Sequence, residues 1–423
     1  MKSSQTIQAA YRQANERYLE IGVDSARVLE RMKQVALSIP CWQADDLQGF
    51  EIHAGGASGG IQVTGNHPGR AHNISEMQKD LELVLKLIPG NHRINLHSIY
   101  GDYAGKPVER NEFSSRHFQG WMEWAREHKA RIDFNSTCFG HPKADSGLTL
   151  THPDPKIRKF WIQHIQACRK IAAELGRTQG DACMHNLWIP DGSKDVPVER
   201  LKYRQLLKDS LDDIFTVKYP AQLMKDSVES KLFGIGSEAM TVGSHEFYLA
   251  YALLNNLMIC LDNGHFHPTE QVGDKISALL PFTKELLLHL TRGIRWDSDH
   301  VVTLNDDVQL IAHEVVRSGA MDRVHLGLDF FDASINRIGA LVTGSRAVQK
   351  AFLYALLEPA GQLIKREREG RYFERLAVLE ELKSMPFGDI WNYYCLINDT
   401  PPGFAYIREI TKYEKTVLSK RNG

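Results

Sequence analysis

Cysteine is scarce, with only six in 423 residues. Cys41, Cys138, Cys168, Cys183, Cys260 and Cys395 lie far apart and form no C-x-x-C pair, which excludes a dense disulfide framework and a thiolate zinc ribbon. Reduced thiols in a cytoplasmic protein are the expectation. An excess of either charge is missing too. The 51 Lys and Arg balance 52 Asp and Glu, so no net field attracts a polyanionic nucleic acid or an acidic membrane surface. Long apolar runs are also absent, the longest candidates being broken by Asp262, Lys284, His289 and Asp329, short of the roughly 18 residues that a membrane helix needs. The first residues, MKSSQTIQAAYRQANERYLEIGV, carry polar side chains where a secretion signal needs an apolar core. What is present, 43% hydrophobic, 9% aromatic and 24% charged residues, describes an enzyme-sized globular chain.

Apolar side chains recur at near-helical spacing (Ile7, Tyr11, Tyr18, Ile21, then Val28, Leu29, Met32), interrupted by Gly22 and Asp24. This predicts two helices within residues 1–34. From residue 35, short apolar or β-branched runs alternate with longer amphipathic stretches. Eight runs, at 35–42, 93–100, 131–139, 184–189, 229–235, 257–266, 286–296 and 324–331, read as strands. Stretches at 77–88, 117–129, 157–175, 201–215, 245–254, 275–283 and 307–317 read as crossover helices. Eight strands alternating with helices predict an α/β fold, a (β/α)8 TIM barrel over residues 35–344. An open doubly wound sheet is the alternative, and the lack of a G-x-G-x-x-G turn after the first strand counts against it. Residues 345–423 are expected to form a helical extension that packs on its own barrel or clasps another subunit. The Gly-rich segment 55–69, GGASGGIQVTGNHPG, is long for a βα connection, and barrel enzymes place lids on such loops; a flexible loop with no task is the plain alternative.

Acidic and imidazole side chains gather at the ends of these predicted strands. The fifth strand is expected to open with VESK, turning Glu229 and Lys231 to one face by period-two alternation. The sixth ends in CLDNGHFH, offering Asp262, His265 and His267; the seventh carries His289 in LLLHL and continues into RWDSDH, with Asp297, Asp299 and His300; the eighth reads HLGLDFFD, with Asp329 and Asp332. The C-terminal ends of barrel strands ring one mouth, so these groups would converge there. Taken singly, His289 reads as a satisfied core histidine, and Asp297 and Asp299 as turn or cap residues. Asp262 and Asp329, each preceded by an apolar run, are costly to bury ionised without a partner. Several carboxylates facing one cavity repel one another unless cations neutralise them. A divalent metal is therefore expected, and an oxygen-rich set with one imidazole per ion suits Mn2+, Mg2+ or Co2+ better than zinc.

The strings CWQADD (41–46), GGIQVTGNHPG (59–69), RINLHSIY (93–100), DFNSTCFGHP (133–142), NLWIPDG (186–192), VESKLFGIGSE (228–238), LDNGHFHPTE (261–270), RWDSDHVV (295–302) and HLGLDFFDASINRI (325–338) resemble bacterial L-rhamnose isomerase. The likeness runs in fixed order from near the start of the chain to YEKTVLSKR near its end. It implies a cytoplasmic homotetrameric barrel enzyme that interconverts L-rhamnose and L-rhamnulose, the first step of L-rhamnose catabolism, with two Mn2+ ions per subunit and Co2+ or Mg2+ as substitutes. It also implies a structural ion held by Glu229, Asp262, His289 and Asp329, and a catalytic ion held by His265, Asp297 and Asp299. By analogy with D-xylose isomerases, Asp262 would bridge the two. Lys231 and Asp329 are the expected catalytic groups, Lys231 donating to the sugar O1 as negative charge develops there. The resemblance favours a hydride shift over an ene-diol. His97, Trp188 and Lys231 are the expected sugar contacts, although His97 could satisfy a strand-end backbone group and Trp188 could be barrel core. Asp191 ranks with them, and His267, two residues beyond His265, is expected to point elsewhere. The rivals are a dinuclear metal-dependent hydrolase on the same barrel, whose HxH motif usually lies on the first strand rather than after the sixth, and a metal-stabilised sugar-binding protein, which would not need Lys231.

Overall fold

A computed structural model of the chain describes residues 3–42, 49–52, 67–231, 239–294 and 300–421. Eight parallel strands close into the predicted barrel: β1 (Leu37–Pro40), β2 (Arg93–His97), β3 (Arg131–Asn135), β4 (Cys183–Trp188), β5 (Met224–Glu229), β6 (Met258–Asp262), β7 (Leu286–Leu290) and β8 (Val324–Leu328). Each pairs with its sequence neighbours, and β8 closes the ring on β1. Strands covered on both faces read as continuous apolar runs, and β7, LLLHL, is buried at every position. The crossover helices start where their caps dictate. Asn73 accepts from the Glu76 N–H ahead of α3 (Ile74–Leu87), and Asp154 from the Lys156 N–H ahead of α5 (Pro155–Gln179). Proline opens α5 and Gly180, at φ 66°, ends it.

The fifth strand departs from expectation. It spans Met224–Glu229, so Glu229 closes the strand and Lys231 lies beyond it. Lys225 and Asp226 break the apolar pattern there, and the fold neutralises them. Lys225 pairs with Glu285, and Asp226 accepts from Arg169 and lies against His185. Residues 232–235 of the expected strand lie outside those described. The last three strands stop at Asp262, Leu290 and Leu328, short of the expected 266, 296 and 331.

Strand register aligns the functional row. Trp188 lies beside Glu229, Glu229 beside Cys260, Asp262 beside His289, and His289 beside Gly327. Outside the barrel, α1 (Ser4–Glu20) packs on α13 (Phe387–Ile397) of the C-terminal helices, with the Tyr11 and Tyr393 rings stacked at 3.8 Å. The helix after β8, α10 (Arg337–Leu356), runs through residue 345 without a break. Near the end of the chain, Arg421 donates to both oxygens of the buried Asp80 on α3, at 2.7 and 2.9 Å. Among the described residues no helix is long and apolar enough to cross a membrane.

Candidate metal centre

Glu229 and Asp262 end β5 and β6, His289 lies in β7, and Asp329 follows β8 with its N–H donating to the Leu290 carbonyl at 3.1 Å. Each of the four offers an oxygen or nitrogen within 4.8 Å of those of the other three. His289 Nδ1 lies 3.2 Å from Glu229 Oε2 and 3.1 Å from Asp329 Oδ2, with Asp262 Oδ2 at 4.0 Å. Yet His289 Nδ1, Glu229 Oε1, Asp262 Oδ2 and Asp329 Oδ1 are buried and aligned for a hydrogen bond with no neighbour. Four such atoms in one buried cluster, in ion-pair range of each other but without hydrogen bonds, are costly unless something charged joins them.

The other carboxylate oxygens of Glu229 and Asp262 are hydrogen-bonded. Asn186 donates its amide to Glu229 and is itself fixed by the Ser227 hydroxyl, 2.6 Å from its Oδ1. Asp262 Oδ1 accepts the Gly264 N–H at 2.6 Å. Gly327 supplies room, since a Cβ there would stand 2.9 Å from His289 Cδ2.

Titration follows from this crowding. Burial opposes the charge of Glu229, but His289 and His265 outweigh it and hold the carboxyl well below its usual range. Burial pushes Asp262 up to about 8; His265 opposes the rise, and the Glu229 and Asp329 carboxylates add to it. Burial also raises Asp329, against the pull of His289. His289 is raised well above the usual imidazole range although burial opposes its charge; the favouring neighbours are Cys260, Glu229 and Asp329. Burial keeps the Cys260 thiol protonated, so the two carboxylates supply that attraction. Without a metal, His289 and Asp262 thus both hold protons more tightly than usual.

His265 joins from the loop after β6, its Nδ1 3.0 Å from the Ser230 carbonyl and 3.1 Å from Glu229 Oε1. Asp297 and Asp299 lie outside the described residues; the Arg292–His300 bridge holds together the chain on either side of them. Lys231 is buried, with Nζ 4.1 Å from the centroid of the Trp188 ring. Trp188 meets Phe139 edge-on, Phe139 meets His97, and His97 meets Trp42, giving a continuous aromatic wall. His97 Nδ1 lies 3.0 Å from Thr137 Oγ1, and burial takes its pKa down to about 3, so its ring is neutral. Asp191 is a loop anchor, accepting from the backbone and hydroxyls of Thr149 and Thr151. His267 is exposed and turned to Thr269. Sequence reasoning missed Asn186, Cys260 and Gly327. The first two lie in or beside apolar strand runs, where period-two alternation would have turned them inward with their neighbours.

A family model described as L-rhamnose isomerase (RhaA) matches residues 5–421. An L-rhamnose isomerase of Bacteroides thetaiotaomicron is 54% identical over 421 residues, covering 100% of both chains. One of Rhodopirellula baltica is 54% identical over 422 residues, covering 100% of this chain and 99% of that one. Among solved structures, an L-ribulose 3-epimerase aligns with a TM-score of 0.45 at 13% identity, over 72% of this chain and 97% of its own, a likeness too distant to bear on substrate or chemistry. Matched from end to end at this identity, the chain belongs to the L-rhamnose isomerase family.

Proposed function

We propose that the chain interconverts L-rhamnose and L-rhamnulose, working as a divalent-metal aldose–ketose isomerase with Mn2+ as its ion and Co2+ or Mg2+ as substitutes. The observation that carries the metal is the convergence of Glu229, Asp262, His289 and Asp329, whose ligand atoms lie within 4.8 Å of one another and which each keep one buried polar atom without a hydrogen bond. Three hard carboxylates and one imidazole suit such ions. These four would hold the structural ion, and His265, Asp297 and Asp299 a second, catalytic one, with Asp262 between them. When bound, the ions supply Lewis acidity toward the sugar's carbonyl and hydroxyl oxygens.

The chain's own groups do the rest. Lys231, held over the Trp188 ring, donates to O1 while that oxygen gains negative charge. Hydrogen passes from C2 to C1 as a hydride while a proton passes from O2 to O1. Asp329, the least buried of its four with a side chain 15% exposed, meets the substrate at the mouth. Trp188 and His97 line the wall that orients the open-chain sugar, and the neutral His97 is free of any charge that would compete for its hydroxyls. Large apolar side chains left exposed on the C-terminal helices, Phe373 at 80% and Phe404 at 84%, support assembly into a homotetramer through the extension 345–423. Six buried free thiols accord with a cytoplasmic home. The test is an assay of L-rhamnose and L-rhamnulose in both directions after EDTA treatment and Mn2+ readdition. No ketose with Mn2+ present refutes the reading.

A further inference from the structure

Cys260 lies directly beneath the carboxylate cluster and has no part in the reaction proposed above. It sits two residues before Asp262 on β6, so both side chains take the same face of the strand, and register sets it beside Glu229 on β5. It is fully buried. Its Sγ, a carboxylate oxygen of Glu229 and a ring nitrogen of His289 all lie within 4.8 Å of one another. Glu229 Oε1 and His289 Nδ1 are among the buried atoms that no hydrogen bond satisfies. Two donor sets thus overlap. The upper one adds Asp262 and Asp329 to Glu229 and His289 and is hard; the lower one adds a sulfur and is softer.

Thiolate ligands favour soft or borderline cations, whereas carboxylate sets favour Mg2+ and Mn2+. We propose that a thiophilic divalent cation, of the Zn2+ or Cd2+ class, binds Cys260 Sγ, His289 and Glu229 at a second position one step deeper in the barrel, and that its binding excludes the ion of the oxygen-rich set. On binding, the S–H bond breaks, the proton leaves to solvent and an S–metal bond forms, with no change of oxidation state. Bond lengths near 2.0–2.3 Å set the ligand atoms of a tetrahedral ion about 3.3–3.8 Å apart, so small side-chain adjustments close the site. Such a cation would poison the enzyme by displacement, leaving its thiols unoxidised. The exclusion rests on the preceding assignment of Glu229 and His289 to the working ion; the sulfur ligation does not.

The test titrates the full-length, metal-free protein with Cd2+, reading the ultraviolet sulfur-to-cadmium charge-transfer band, and repeats the titration on Mn2+-loaded protein, reading released Mn2+ by electron paramagnetic resonance. The expected result is a band saturating near one Cd2+ per chain with Mn2+ released in step. Cys260→Ser should lose the band and need at least about ten-fold more Cd2+ to release Mn2+. Cys395→Ser, on the distant α13, should keep both. Absence of the band in the wild type overturns the proposal. So does a band that survives in Cys260→Ser, or in Cys260→Ala should the serine variant fail to fold, and so does a full band with all Mn2+ retained. Tight Mn2+ binding without the Cd2+ band sinks this inference alone, whereas Mn2+ binding unchanged in Glu229→Gln sinks the assignment of the working ion.

Discussion

Both ends of the barrel bury carboxylates, and they treat them oppositely. At the N-terminal end, Asp133 accepts two bonds from Arg93 at 2.8 Å, one from the Ser38 hydroxyl and one from the Met184 N–H. Asp226 is clasped by Arg169 and faces His185. No atom of either carboxylate is left unsatisfied. At the C-terminal end, Glu229, Asp262 and Asp329 surround His289, with His265 against Glu229, and among the described residues no arginine or lysine ion pair with them is seen. The same kind of residue is thus structural where a guanidinium completes it and forms a candidate cation site where lone pairs stay open. Burial alone does not separate the two; the state of the partner atoms does.

Breaking the arginine-paired end should cost most. Asp133→Ala leaves Arg93 buried with one fewer anion and should lower stability by about 3–5 kcal/mol in denaturant unfolding, without changing Mn2+ content. Loss of bound metal in that variant would mean that the two ends are one network. Next comes Lys231→Met, which keeps length and removes the cation. Its kcat should fall by roughly 10²–10³ with metal content intact, and activity within a few-fold of wild type would make Lys231 a spectator. Glu229→Gln should weaken the structural ion and lower the melting temperature by linkage, while Asp299→Asn should abolish turnover and retain about one ion per chain. Metal analysis with thermal melts decides, and joint loss of both ions in the Asp299 variant contradicts the division between them.

The smallest effect is the most specific. In the metal-free protein His289 and Asp262 hold protons more tightly than they do unfolded. These two groups therefore contribute stability that is present in acid and is lost as pH rises from the unfolded carboxyl value near 4 through about 8. Metal binding needs those groups deprotonated, so affinity climbs over the same range. The gap in melting temperature between Mn2+-loaded and metal-free protein should widen from pH 6 to pH 8. A constant gap would show that the ion does not compete with these protons.

The barrel was legible because its rhythm is local: apolar run, loop, amphipathic stretch. Asp262 and Asp329 stood out because a carboxylate after an apolar run is costly to bury alone, whereas His289 reads singly as a core histidine and joins Glu229 in one ligand set only through the family resemblance. The fifth strand was misplaced because its Lys225 and Asp226 are neutralised by Glu285 and Arg169, partners 60 and 57 residues away. Such pairing leaves no mark on local pattern. The same holds for Arg93, whose anions Asp133 and Asp181 stand 40 and 88 residues downstream. Cys260 was hidden in the opposite way, looking like one more apolar position in a buried strand.

The clasp between Arg421 and Asp80 sets a timetable for the growing chain. Asp80 lies on the first crossover helix and is 1% exposed, yet its counter-charge arrives 341 residues later, with Tyr413 donating to it from the last helix. During synthesis α3 is made long before that guanidinium, so this clasp closes only after residue 421 has been made. A chain cut before residue 421 would therefore keep its early helix without this clasp and should be cleaved more readily in limited proteolysis.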